Sequence, residues 1–218
     1  MSTRQSPIRA RSGLSRDAIL EGALSLVERE GLDALSMRRL AQDLDVGTMT
    51  LYGYFRDKRE LLDGLVDALA ARAPLPRLRG DWRQRLTTLM RHLATTLAAY
   101  PALAQLRLAQ PIVTPGAFQL TEAGMATLRE AGFSAADAAR HFRALFLYAF
   151  AIAVFSPAGT VADARRQAAG ALASLPPADF PALAESLVEL VDSLDPSAQF
   201  EHGLALLLDG IEASRRVT

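Results

Sequence analysis

The chain has 218 residues, half of them hydrophobic and 22% charged, and its 24 basic side chains balance 24 acidic ones. Such a composition excludes an intrinsically disordered chain and a uniformly basic nucleic-acid coat. The absence of cysteine excludes a disulfide framework, a thiolate metal site and a cysteine nucleophile, and agrees with a reducing, cytoplasmic setting.

Residues 1–13 form a basic arm, expected to be flexible: Arg4, Arg9 and Arg11, followed by Arg16, precede the first acid, and no apolar leader is present. Ile19, Ala23, Leu24 and Val27 then recur on one helical face. They predict a first helix over 15–30, stopped by Gly31. Ser36 can cap a short second helix over 37–44. The turn Asp45-Val46-Gly47 leads to a third helix over 48–54. A fourth follows over 57–72, with Leu61, Leu62, Leu65, Val66 and Leu69 on its apolar side. Residues 73–81 hold two prolines and a glycine and mark a boundary.

Trp82, Leu86, Leu89, Leu93 and Leu97 stripe the next helix, which ends near Pro101. A shorter helix over 102–109 stops at Pro111. Helices over 117–131 and, after Gly132, over 134–155 come next. The apolar run 144–155 is too short to cross a bilayer and reads as a buried helix. Residues 160–195 are less clear, with helical stretches over 161–175 and 183–194 around an interruption, PPADFP. The last helix starts at Pro196 and carries Phe200, Leu204, Leu207, Leu208 and Ile211 at three- and four-residue steps. With no strand pattern and no internal repeat, the expected fold is all-α. Residues 14–72 form one domain and 81–218 a second.

A helix, a three-residue turn and a short helix make a helix-turn-helix, whose second helix enters a DNA major groove about 12 Å wide. The residues suit that task. Gly47, Thr48, Thr50 and Gly53 are small, and the threonine hydroxyls can bond phosphates or base edges. Met49 can touch a thymine methyl. Tyr52 and Tyr54 each combine a packing ring with a hydroxyl that can reach a phosphate. Residues 1–72 hold eleven basic and eleven acidic side chains, so affinity must come from local placement. Arg38, Arg39, Lys58 and the basic arm are expected to face DNA, with most acids turned away. Arg59 reads as an ordinary solvated residue, and Tyr54 as mainly a packing one.

The stretch LSMRRLAQDLDVGTMTLYGYFRDKRELLDGLVDAL resembles the N-terminal domain of the tetracycline-repressor family of transcriptional regulators. The features that carry the resemblance are Leu51-Tyr52-x-Tyr54-Phe55, Lys58, Leu61-Leu62 and Ala41 before the turn. It covers about residues 14–70; Asp81-Trp82 and FEHGLALLLDGI extend it more weakly toward the C-terminus. The resemblance implies a recognition helix over 48–54, phosphate contacts by Tyr52 and Lys58, and groove contacts by Thr48, Met49 and Thr50. Gly47 departs from the serine common at that position and supplies no side-chain contact.

The expected protein is a DNA-binding repressor released from its operator by a small molecule; a regulator without ligand control, or an activator, fits the same residues. No catalytic constellation, cofactor or metal is expected. His92, His141 and His202 lie on separate helices without ligand spacing. Two half-sites call for a homodimer, expected to pair the helix over 134–155 with the last helix through Phe146, Phe150, Leu204, Leu207, Leu208 and Ile211. A mainly apolar ligand is expected within 81–195, with His92, Gln110 and His141 as its candidate polar contacts. No membrane partner is expected.

Overall fold

The computed structural model describes residues 14–101, 104, 106, 114–155 and 160–215. The basic arm and Gln110 lie outside them, as does most of the short helix expected over 102–109. Among the described residues there is no strand. The chain divides into two units: Met1–Arg72 with Gln105–Ala117, and Ala73–Ala104 with Phe118–Thr218.

In the first unit, α1 (Arg16–Glu30) starts where Ser15 accepts the Ala18 N–H, and it stops at Gly31. Gly31 sits at φ 84°, in the left-handed region where glycine avoids a Cβ clash. A short 3-10 turn, Leu32–Ala34, leads to α2 (Met37–Asp43), capped by the Ser36 hydroxyl. Then come α3 (Thr48–Tyr52) and α4 (Lys58–Arg72). Apolar faces hold these helices together: Ile19, Ala23 and Leu26 of α1, Leu40 of α2, Leu51 of α3 and Leu61, Leu65 and Leu69 of α4 are all buried, with Phe55 between α3 and α4. The sequence division did not place 105–117 in this unit. Gly116 gives one bond that ties it in, donating its N–H to Asp67 Oδ1 of α4 at 3.1 Å.

In the second unit, α5 (Trp82–Ala99) opens on a reciprocal cap: Asp81 accepts the Gln84 N–H while the Gln84 side chain accepts the Asp81 N–H. Beyond it run α6 (Pro115–Glu130), whose first residues belong to the other unit, α7 (Ala135–Phe155) and α11 (Pro196–Ser214). Their shared core includes Leu86, Leu89, Met90, Leu128, Phe142, Leu145, Ala149, Phe200, Leu204, Leu208 and Ile211. Tyr148 donates its hydroxyl to the Gln199 carbonyl at 2.5 Å, and burial raises its phenol above the usual range. Gly203 makes room for that hydroxyl, since a Cβ there would collide with it. Between α7 and α11 lie α8 (Val161–Ala173), α9 (Pro181–Glu185) and α10 (Leu187–Asp192), none of which has a buried residue. The single helix expected over 183–194 is thus two short ones.

The core also corrects one expectation. Leu204, Leu208 and Ile211 were expected to face a partner, but they are buried within their own protomer. An apolar stripe at helical spacing does not by itself say which neighbour it meets. Large apolar side chains turned outward on these two helices include Leu206 of α11, 59% exposed, and Leu147 of α7, 46% exposed. Phe146, Phe150 and Leu207 are half-buried, and the first two stack with ring centres 6.0 Å apart.

Candidate nucleic-acid interface

The turn between α2 and α3 is a Schellman motif. The Val46 N–H donates to the Ala41 carbonyl at 2.9 Å, and the Asp45 N–H to the Gln42 carbonyl at 3.3 Å. The motif needs a left-handed residue, and Asp45 supplies it at φ 53°. Aspartate tolerates this conformation better than most side chains, so three residues suffice to reverse the chain. Gly47 then begins α3 with no side-chain cap.

Only one face of α3 is used by the fold. Leu51 is fully buried, and Phe55 just beyond it anchors the helix end. On the other side, Met49 is 80% exposed and Thr50 is exposed, while Thr48 is half-buried. An exposed methionine at the start of a short helix leaves apolar surface without a partner among the described residues.

The two tyrosines have separate situations. Tyr52 is 45% exposed. Tyr54 donates its hydroxyl to the Leu14 carbonyl at 2.7 Å, and its own carbonyl accepts from the Arg16 guanidinium at 2.7 Å. Tyr54 therefore fastens the chain entering α1 to the end of the helix-turn-helix. Arg16 completes the fastening by lying 4.1 Å above the Phe55 ring and pairing with Glu60. Glu60 also accepts the Arg56 N–H at 2.9 Å. That backbone bond, then the Arg56 side chain, and then Arg16 hold the Glu60 carboxyl below the usual carboxylate range.

The described cations of this unit sort into two groups. Arg29 and Arg39 pair with Glu30 and Asp43, Arg16 and Arg56 with Glu60, and Arg72 with Glu21. Arg38, Lys58 and Arg59 are exposed and have no acidic partner among the described residues. Arg39, expected to face DNA, spends its guanidinium on Glu30 at 2.6 Å and Asp43 at 3.5 Å. Arg59, read from sequence as merely solvated, stands in the same situation as Lys58. The sequence carries little signal for this sorting, because some partners lie up to 51 residues apart.

Of the candidate ligand contacts, Gln110 lies outside the described residues, and His92 and His141 sit on different helices, α5 and α7. His141 lies 3.3 Å from the Ser214 hydroxyl and edge-on to Phe133, whose ring also meets Trp82. His92 lies ten residues beyond Trp82 on α5, about 15 Å along that helix. Trp82 is half-buried and packs against the core of its unit. A cavity of about 240 Å³ opens elsewhere, among Leu172, Leu175, Pro177, Phe180, Leu183 and Leu187. Among the described residues no group of three histidine, aspartate or glutamate side chains could hold a metal.

Comparison with known proteins agrees with both units. Residues 19–65 match the model of bacterial regulatory proteins of the tetR family, and residues 74–215 match the tetracyclin repressor-like C-terminal domain. The tetracycline repressor protein class A from transposon 1721 of Escherichia coli is 32% identical over 209 residues, covering 94% of this chain and 93% of that protein. Among solved structures, the Streptomyces coelicolor TetR family protein ActR in complex with actinorhodin superposes with a TM-score of 0.81 at 31% identity, covering 93% of this chain and 97% of that one. A TetR variant from Acinetobacter baumannii AYE in complex with minocycline gives 0.65 at 26% identity, covering 93% and 99%.

Proposed function

The chain belongs to the tetR family of bacterial regulatory proteins, and on that premise we propose that it is a sequence-specific repressor, a homodimer on two operator half-sites, released by a small, mainly apolar molecule. It is a transcriptional regulator and not an enzyme. The observation that carries the reading is the surface around α3. Met49, Thr50 and Tyr52 are committed to no core, and Arg38, Lys58 and Arg59 are committed to no acid among the described residues. In this reading Thr48, Met49 and Thr50 meet base edges in the major groove. Tyr52, Arg38 and Lys58 hold phosphates, and Arg59 joins them. Tyr54 serves mainly to brace the unit.

Selection of binding sites from random DNA tests the proposal. A two-fold site with half-sites about 34 Å apart is expected. Recovery of no preferred sequence would sink it. A Thr50→Ala protein should select a site altered at one or two positions, whereas loss of a phosphate contact weakens all sites alike.

The two tyrosines give a paired prediction. Tyr54→Phe removes the bond to the Leu14 carbonyl and should cost up to about 1 kcal/mol of stability in chemical denaturation. Tyr52→Phe should leave stability unchanged and weaken DNA binding. Equal melting with equal DNA affinity in both variants would contradict the division of roles.

Gly47→Ser should strengthen binding. A Cβ at Gly47 would meet only Thr50 Oγ1, at 3.6 Å, so a side chain fits without strain. The new hydroxyl caps α3, which is worth a few tenths of a kcal/mol over glycine, and offers a phosphate one more donor. Anisotropy titration on the selected operator checks it, and a weaker complex would argue against this placement of the α3 N-terminus.

Relatives in complex with actinorhodin and with minocycline support control by a small molecule. The ligand must prefer the released form, and operator DNA must then weaken ligand binding by the same factor. A found ligand that binds equally well with and without operator is not the effector.

A further inference from the structure

Of the chain's 24 basic side chains, Lys58 alone is lysine; all the others are arginine. A guanidinium stays protonated in proteins and is not a nucleophile under physiological conditions, whereas a lysine amine accepts acyl groups. The 218 residues therefore contain one side-chain amine open to acylation as a stable amide, and it lies at the surface around α3 on which the proposed DNA reading depends.

Its surroundings leave it accessible. Lys58 is exposed, and the two nearest acids in sequence are engaged elsewhere. Asp57 Oδ1 accepts the Glu60 N–H at 2.8 Å. Glu60 accepts the Arg56 N–H at 2.9 Å and takes the Arg16 guanidinium at 3.2 Å. No described acid holds the Lys58 ammonium or shields it from a reagent.

We propose that Lys58 is an acylation site through which an activated acyl donor, an acyl phosphate or an acyl thioester, switches DNA binding off. The proposal rests on the DNA-reading function above. The free amine attacks the donor's carbonyl carbon and a C–N bond forms. The bond from that carbon to phosphate oxygen or thiolate sulfur breaks, and the leaving group departs with the electron pair. The surplus proton of the amine goes to solvent. The product is a neutral amide, which has lost the positive charge and the donors that a phosphate would have met. Arginines nearby keep their charge, so the switch acts on one contact per reading head and leaves the fold untouched.

The test treats the full chain with acetyl phosphate in one arm and acetyl coenzyme A in another, and locates the added groups by peptide mass spectrometry. The untreated protein is first titrated with its selected operator over a range of salt. Acetylation at Lys58 is expected to weaken binding about ten- to a hundred-fold per head, the range for a lost charge-assisted bond. It should also lower the salt slope by about 0.9 per head. A Lys58→Arg protein controls for acylation of the α-amino group: its affinity, measured against its own untreated sample, should not change on treatment. Modification at Lys58 with unchanged affinity would overturn the proposal. So would a Lys58 that both donors leave unmodified while the α-amino group reacts, or an equal loss of affinity in the arginine variant. An untreated protein that selects no DNA sequence is a separate result, seen before any reagent is added, and overturns the reading beneath the proposal. The arm that modifies Lys58 identifies the donor class.

Discussion

A Leu206→Arg protein is expected to fold normally, remain monomeric and lose tight operator binding. Leu206 points out of α11 and is 59% exposed in the protomer, so arginine there meets water when the chain is alone. In the proposed dimer, α7 and α11 of two protomers pack as a four-helix bundle, and the two-fold axis presents Leu206 from both sides. Burying an unpaired charge in such a contact costs about 3–5 kcal/mol. That weakens the dimer more than a hundred-fold by the usual conversion of roughly 1.4 kcal/mol per decade. One reading head alone cannot span two half-sites, so operator affinity falls with the dimer. Light scattering at micromolar concentration should give the mass of a dimer for the wild type and of a monomer for the variant. A wild-type monomer, or a variant that dimerises equally well, would refute the assignment. Leu208→Arg is not an equivalent test, because Leu208 is buried in the protomer and its replacement would damage the fold itself.

The second large effect is expected from Phe55→Ala. Phe55 has no exposed surface, and the Arg16 guanidinium lies over its ring. Truncating a buried phenylalanine removes transfer energy and leaves a cavity, about 3–5 kcal/mol together. Here the cation–π contact goes as well, and with it the reason for Arg16 to hold its place beside Tyr54. The loss falls on a small unit whose total stability is of the same order. DNA binding should vanish, while α5, α6, α7 and α11 keep their own core. Thermal melting followed by circular dichroism should show an early transition absent from the wild type, with most helical signal retained until a later one. A single transition at the wild-type temperature would show that Phe55 does not hold the unit together.

The all-helical fold was legible where sequence carries its own local signals. Ser15 and Ser36 cap their helices, Gly31 stops α1 at positive φ, and the apolar positions of α4 and most of those of α5 repeat at helical spacing and are buried as that spacing requires. Residues 160–195 were obscure for a physical reason: α8, α9 and α10 bury nothing, so no core imposes a period on them. The helix-turn-helix was legible from small residues and a short turn. Which of its cations stay unpaired was not, because Arg16 meets Glu60 and Arg29 meets Asp43 only after folding. The stripe on α11 was legible as apolar, but that Leu204, Leu208 and Ile211 bury themselves in their own protomer was not, since spacing fixes a face and not what covers it.

The division of labour on α3 also bears on how such a protein changes over generations. The turn holding α3 depends on Asp45 and on backbone bonds, and its attachment depends on Leu51 and Phe55. Met49 and Thr50 contribute to neither. Exposed positions of this kind accept most replacements within about half a kcal/mol. After gene duplication, one copy can therefore acquire a new operator through neutral drift at these sites, with no compensating change elsewhere in the fold.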